Sequence, residues 1–146
     1  MQTSLPIIDC DVHQTFVGTE LTDRLPRAFR EPGWVQPPHP LPSPIGVLRS
    51  DAKPASGPPG SCPEKMISQH LDPFGIAKAI LTGSGVLSIG VHPNVHYAGA
   101  VARAYNEVLA EKWLEADPRF CGSILITPQD PEAAVVEIHR WAGHPR

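Results

Sequence analysis

Apolar residues first gather at positions 6–11, P-I-I-D-C-D, where two isoleucines precede alternating charge. A run this short and β-branched predicts a strand buried on both faces. Side chains alternate along a strand, so Asp9, Asp11 and His13 are expected on one face. Glu20 to Arg30 sets Leu21, Leu25, Ala28 and Phe29 at helical spacing, but Pro26 interrupts it and predicts a short or broken helix. Pro63 suits the first position of a helix whose face is Met66, Ile67, His70 and Leu71, ended by Asp72, Pro73, Phe74 and Gly75. Ile76 to Thr82 is a second strand, followed by a Gly83-Ser84-Gly85 turn. Tyr97 to Ala116 is the clearest helix, with Val101, Tyr105, Val108, Leu109 and Trp113 as its apolar stripe and Asn94 as its cap. Phe120 to Thr127 predicts a third strand. Asp130 and Pro131 then start a last helix, with Ala134, Val135, Ile138, Trp141 and Ala142 along one side.

Strands alternating with helices in this way predict parallel β/α units. The exception is 31–60, which holds nine of the chain's 18 prolines. Proline removes backbone donors and fixes φ, so neither ladder nor helix runs through this segment. A loop of that length is either an active-site lid, with Trp34 as a cover, or disordered.

Composition narrows the classes. The 146 residues are 41% hydrophobic, enough for one domain with a core. They fall short of the roughly 250 typical of a closed (β/α)₈ barrel. A net charge of -3 without a basic stripe predicts no nucleic-acid partner. There is no positive leader before an apolar core and no run near the 18 residues of a membrane span, so no membrane association is expected. Cys10, Cys62 and Cys121 are odd in number, and Cys10 and Cys121 lie in apolar runs that suit a buried thiol. Reduced cysteines predict a cytoplasmic protein.

The chemistry concentrates at Asp9-Cys10-Asp11-Val12-His13. At the carboxyl end of a barrel strand, a carboxylate and an imidazole two residues apart both point into the catalytic mouth and can hold one divalent ion. A hard oxygen with a borderline nitrogen suits Zn²⁺ or Mn²⁺ better than Ca²⁺. Asp9, deeper in the strand, is a candidate to orient a ligand from behind. The bland alternative is that Asp11 ends the strand and His13 begins a solvated loop. His92 and His96, in H-P-N-V-H beyond the second strand, have ligand spacing, but Pro93 between them favours a loop. His92 is therefore a candidate substrate contact. His70 and His139 are expected to pack or face solvent, His39 belongs to the proline-rich loop and His144 to the tail.

IIDCDVH, HLDPFGIAKAILTG and the text from His92 to Arg146 together resemble the amidohydrolase-related superfamily, in particular its branch of metal-dependent hydrolases and aromatic-acid decarboxylases. The likeness covers most of the chain outside 31–60. It implies three N-terminal β/α units of a TIM-type barrel within a single partial domain spanning 1–146. In that family the first strand commonly ends in H-x-H with both histidines on the metal. Here Asp11 and His13 stand at those positions, so the second ligand carries over directly and the first as a carboxylate. The resemblance implies a small-molecule substrate and either hydrolysis of a C–N or ester bond or loss of carboxylate from an aromatic acid. It also implies further His and Asp ligands from later strands, so the isolated chain is expected to be an N-terminal fragment with an incomplete, inactive site. Two alternatives stay open: a non-catalytic α/β module that binds or self-associates, and a metal-binding module without catalysis. A third strand lacking its barrel neighbour favours homo-oligomers.

Overall fold

The three predicted strands form one parallel sheet in the order β1 (Ile7–Val12), β2 (Ile76–Leu81), β3 (Phe120–Gly122) in a computed structural model that describes residues 5–17, 19–30, 50–86 and 88–146. Most of the proline-rich segment, with Trp34 and His39, lies outside the described residues. Its last part is described: a 3₁₀ turn at Ser50–Ala52 leads to irregular chain. This chain is tied to the residues beyond His13, with Thr15 N–H donating to the Gly60 carbonyl at 2.9 Å and Thr15 Oγ1 to the Pro59 carbonyl at 2.8 Å.

Pro26 divides the first helical pattern into two 3₁₀ turns, Thr22–Arg24 and Arg27–Phe29. Past the proline-rich segment, α1 (Pro63–Met66) runs into a π-turn at Ile67–Leu71 and then α2 (Asp72–Phe74), so the helix passes the stop expected at Asp72. The wider turn explains how: Asp72 N–H bonds the Ile67 carbonyl, one residue further back than in an α-helix, which eases the entry of a proline with a ring and no N–H. Gly75, at φ 59°, ends it in the left-handed region. The longest helix, α3 (Val95–Val108), begins where the Asn94 side chain accepts from Tyr97 N–H, and continues as a π-turn over Leu109–Leu114.

Along β2, Ala79 and Leu81 face one buried side, Ile80 between them is half-buried and Lys78 is exposed, the pattern of a sheet covered on one face; Ile76, buried at the strand's start, falls outside the alternation. Leu71, Tyr105, Trp113 and Phe120 complete that core, all 0% exposed. The first strand departs from expectation. Ile7 and Ile8 are 53% and 55% exposed, because β1 is an edge strand under a single helical layer and not a strand buried on both faces. Cys10 is likewise exposed and Cys121 half-buried; neither is a core thiol, though all three cysteines are free.

The third strand is shorter than the predicted 120–127. Its ladder stops where β2 stops, at the Leu81 to Gly122 pairing, followed by one more bond from Ser123 N–H to the Leu81 carbonyl. Further on, a side chain takes the place of a ladder partner. The Asn106 amide accepts from Leu125 N–H at 2.8 Å, donates to the Leu125 carbonyl at 2.9 Å, and donates to Glu137 Oε1 at 3.0 Å. Asn106 is 3% exposed, so replacing it with leucine leaves Leu125 and Glu137 short of partners. We expect a loss of about 2 kcal/mol, read as a shift in the urea midpoint at constant slope.

The same carboxylate revises the last helix, α4 (Pro131–Trp141). Its buried face is Ala134 and Glu137, whereas Val135 and Ile138 are 52% and 41% exposed. Glu137 turns inward because Asn106 and the Trp141 indole N–H, at 2.6 Å, both donate to it.

Where α3 ends, the Arg119 guanidinium donates twice to Asp117, at 2.9 and 2.7 Å. These bonds hold the Asp117 carboxyl below its ordinary value against the opposing effect of burial. A depressed folded-state pKa contributes stability above the unfolded value near 3.8 that is lost as pH falls through the folded value. Asp117→Asn should therefore destabilise the chain at pH 7, with the difference from wild type closing in unfolding curves taken at pH 3 and below.

Candidate metal centre

One extra residue in β1 arranges the site. Asp9 pairs with Ala79 and Val12 with Leu81, three steps on β1 against two on β2, which is a β-bulge. Ala79 and Leu81 are both buried beneath the helices, so Asp9 and Val12 share that side and Asp11 turns to the other. Strict alternation placed Asp9 with Asp11 and His13; the bulge separates them. Asp9 still bears on the site through the main chain. Its Oδ1 accepts from Asp11 N–H at 3.1 Å and its Oδ2 from His70 Nε2 at 2.8 Å. Partial burial alone pushes the Asp9 carboxyl up; the Asp11 N–H and the His70 ring outweigh it and leave the group below its ordinary value.

Asp11 and His13 converge. Asp11 Oδ1 lies 2.9 Å from His13 Nε2, and the two side chains remain 76% and 39% exposed. Behind them the turn after β2 holds both. Thr82 Oγ1 donates to Asp11 Oδ1 at 3.2 Å, and the Gly83 carbonyl accepts from His13 Nδ1 at 3.2 Å. A carbonyl only accepts, so Nδ1 carries a proton and Nε2 is the nitrogen that faces the carboxylate. Two acceptors at that separation are satisfied by a cation between them, either a proton or a metal ion. This donor set, an imidazole nitrogen oriented through its other nitrogen and a carboxylate oxygen, fits Zn²⁺ or Mn²⁺. Two donors are half of a structural zinc site. Among the described residues no group of three or more His, Cys, Asp or Glu gathers around a common point.

Beside His13 opens a cavity of about 200 Å³ whose wall includes Cys62, Lys65, Gln69 and His70. His70, expected only to pack or face solvent, is thus joined to β1 through Asp9. His92 sits apart from this arrangement. It is 7% exposed, packs 4.8 Å from the Tyr97 ring, and its Nδ1 lies 3.1 Å from Asn94 N. His96 is exposed on α3, so the two do not form a facing pair.

Thr82, Gly83 and Gln14 carry no catalytic pattern in the sequence. The one available signal was T-G-S-G immediately after a strand, a turn at the end of the sheet where ligands bind.

Fold and site thus define a parallel α/β protein with a carboxylate–imidazole pair at the carboxyl end of its first strand. The chain belongs to the amidohydrolase family, whose model matches residues 8–146. No curated protein matches it.

Proposed function

We propose that Asp11 and His13 are two ligands of a single divalent ion, Zn²⁺ or Mn²⁺, in a metal-dependent enzyme of the amidohydrolase family. The observation that carries this reading is the His13 ring itself. Its Nδ1 is committed to the Gly83 carbonyl while Nε2 faces the Asp11 carboxylate at 2.9 Å. When bound, such an ion supplies Lewis acidity toward an oxygen of water or of substrate. The chain's own part is to hold the two donors, with Asp9 fixing the Asp11 main chain from behind and Thr82 fixing its carboxylate.

The substrate is a small molecule, and the reaction is hydrolysis of a C–N or ester bond or removal of carboxylate from an aromatic acid. The sheet described here forms the first three β/α units of a TIM-type barrel. Its uncovered face, with Asp11 and Thr82, is the barrel interior, and later strands supply the remaining ligands. His92 is a substrate contact in that assembly. Three free cysteines are in keeping with a cytoplasmic enzyme. No helix among the described residues is long and apolar enough to cross a membrane. Exposed Leu5, Ile7 and Ile8 beside the outer edge of β1 favour self-association of the isolated chain.

Metal titration of residues 1–146 tests the reading. Weak, reversible binding of Zn²⁺ or Mn²⁺ is expected from two donors. Tight stoichiometric binding abolished by His92→Ala would overturn the ligand assignment. Turnover of an amide, an ester or an aromatic acid by this chain would overturn the incompleteness of its site.

A further inference from the structure

The turn at Gly83 that orients His13 is itself held on both sides by one buried residue. Gln14, directly after His13, is 0% exposed. Its Oε1 accepts from Gly83 N–H at 2.9 Å, its Nε2 donates to the Tyr105 hydroxyl at 3.0 Å, and its main-chain carbonyl accepts from Ser84 N–H at 2.7 Å. Tyr105 is also 0% exposed, and burial pushes its hydroxyl up to about 12 although the Gln14 bond opposes this. It is therefore a neutral phenol throughout the ordinary pH range, and its oxygen accepts from the Gln14 amide. The Gly83 N–H, which can only donate, decides which way the amide faces, with oxygen toward Gly83 and nitrogen toward the Tyr105 hydroxyl on α3.

The orientation passes along the chain of bonds. Gln14 holds the peptide unit on each side of Gly83, the Thr82–Gly83 unit through its side chain and the Gly83–Ser84 unit through its main-chain carbonyl; with both ends of the residue held, the Gly83 carbonyl is kept on His13 Nδ1. We propose that Gln14, held by Tyr105, is a positioning residue for the metal ligand His13: by fixing the Gly83 turn it keeps Nδ1 bonded to the Gly83 carbonyl, so that Nε2 is the nitrogen that meets a divalent ion. The inference rests on the proposed metal site. It adds a buried relay from α3 to the ligand that residue type alone does not announce. The first link, a buried glutamine amide with both ends bonded, is costly to disturb, so the orientation is set before any ion arrives.

Ring-nitrogen NMR of the metal-free chain reads the Nδ1–H bond directly, and Zn²⁺ titration followed on the same His13 resonances reads affinity. The variants are Gln14→Met, which keeps the shape and removes both bonds, and Tyr105→Phe, which keeps the ring and frees the amide. Leu71→Ala serves as a control for general destabilisation. Wild type is expected to show His13 Nδ1 protonated and bonded, whether a proton or Zn²⁺ lies between Nε2 and Asp11. Gln14→Met should show a weakened or lost Nδ1–H bond and a 10- to 100-fold loss in Zn²⁺ affinity, of the order found for outer-shell partners. Tyr105→Phe should move both readouts in the same direction by less, and it remains informative if Gln14→Met fails to fold.

The proposal is overturned if wild type shows His13 Nδ1 unprotonated. It is equally overturned if the folded Gln14 or Tyr105 variants keep the wild-type Nδ1–H bond, or if Leu71→Ala weakens that bond as much as they do. Should wild type bind no Zn²⁺, the metal reading fails, and the Nδ1–H comparison alone decides whether Gln14 positions His13.

Discussion

Gly83→Ala should lower the stability of the chain by about 3 kcal/mol or more, combining a strained backbone with overpacking. The residue sits at φ +80°, where an L side chain is strained whatever the space around it. Here there is no space either. A Cβ would stand 2.6 Å from Tyr105 Cε2 and 2.8 Å from the Tyr105 hydroxyl, both parts of a ring that is fully buried and bonded to Gln14. Either the ring moves, which breaks the Gln14 bond, or the turn moves, which takes the Gly83 carbonyl off His13. Urea unfolding should show the lost stability as a lower midpoint. Ring-nitrogen NMR in water should show the His13 Nδ1–H bond weakened or lost. Gly85→Ala is the matched comparison, since Gly85 has φ +78° with nothing within 4 Å of its Cβ position. Its cost should be that of backbone strain alone, about 1 to 2 kcal/mol. Equal losses at the two positions would mean that the contact with Tyr105 contributes nothing.

These glycines mark where the sequence was and was not legible. Punctuation by glycine and proline showed the turn after β2, the division of the first helical pattern at Pro26, and the starts of α1 and α4. Periodicity found all three strands and the stripe of α3, because those elements bury one face against neighbours within the chain. It misjudged Ile7, Ile8, Val135 and Ile138, whose apolar character does not correspond to burial against any described residue. A hydrophobic pattern records that a residue is apolar, not which layer covers it. The β1 bulge was equally hidden. One extra residue turns Asp9 from the face of Asp11 to the helical side, and period-2 reasoning has no term for it.

In the candidate site, Asp11 and His13 were legible because the pair lies two residues apart at a strand end. The groups that hold them were not. Gln14, Thr82, Gly83 and Tyr105 meet through contacts as long as 91 positions in sequence, and Tyr105 is already accounted for by the apolar stripe of α3. Residue type and helix position predict only packing or solvent contact for His70, because its partner, Asp9, lies 61 positions away. Outer-shell chemistry of this kind is set by the fold, so it becomes visible only with the sheet in place.

His13→Ala gives the most direct result for function. His13 is 39% exposed at its side chain and its one bond to the main chain is to Gly83, so its removal should change the unfolding midpoint little. Zn²⁺ binding should fall by more than the roughly 100-fold seen at most for outer-shell groups, to below detection, since the nitrogen donor is gone and one exposed carboxylate remains. Asp11→Asn should weaken binding less, because the amide oxygen still faces Nε2 but no longer offsets the charge of the ion. His92→Ala should do the reverse of His13→Ala. Zn²⁺ affinity should stay at the wild-type value while stability drops, because His92 is 7% exposed and packs on Tyr97. A His13→Ala chain that keeps wild-type Zn²⁺ affinity would remove the ligand from the site. Affinity lost instead in His92→Ala, with the fold intact, would move the metal centre from the end of β1 to the loop before α3.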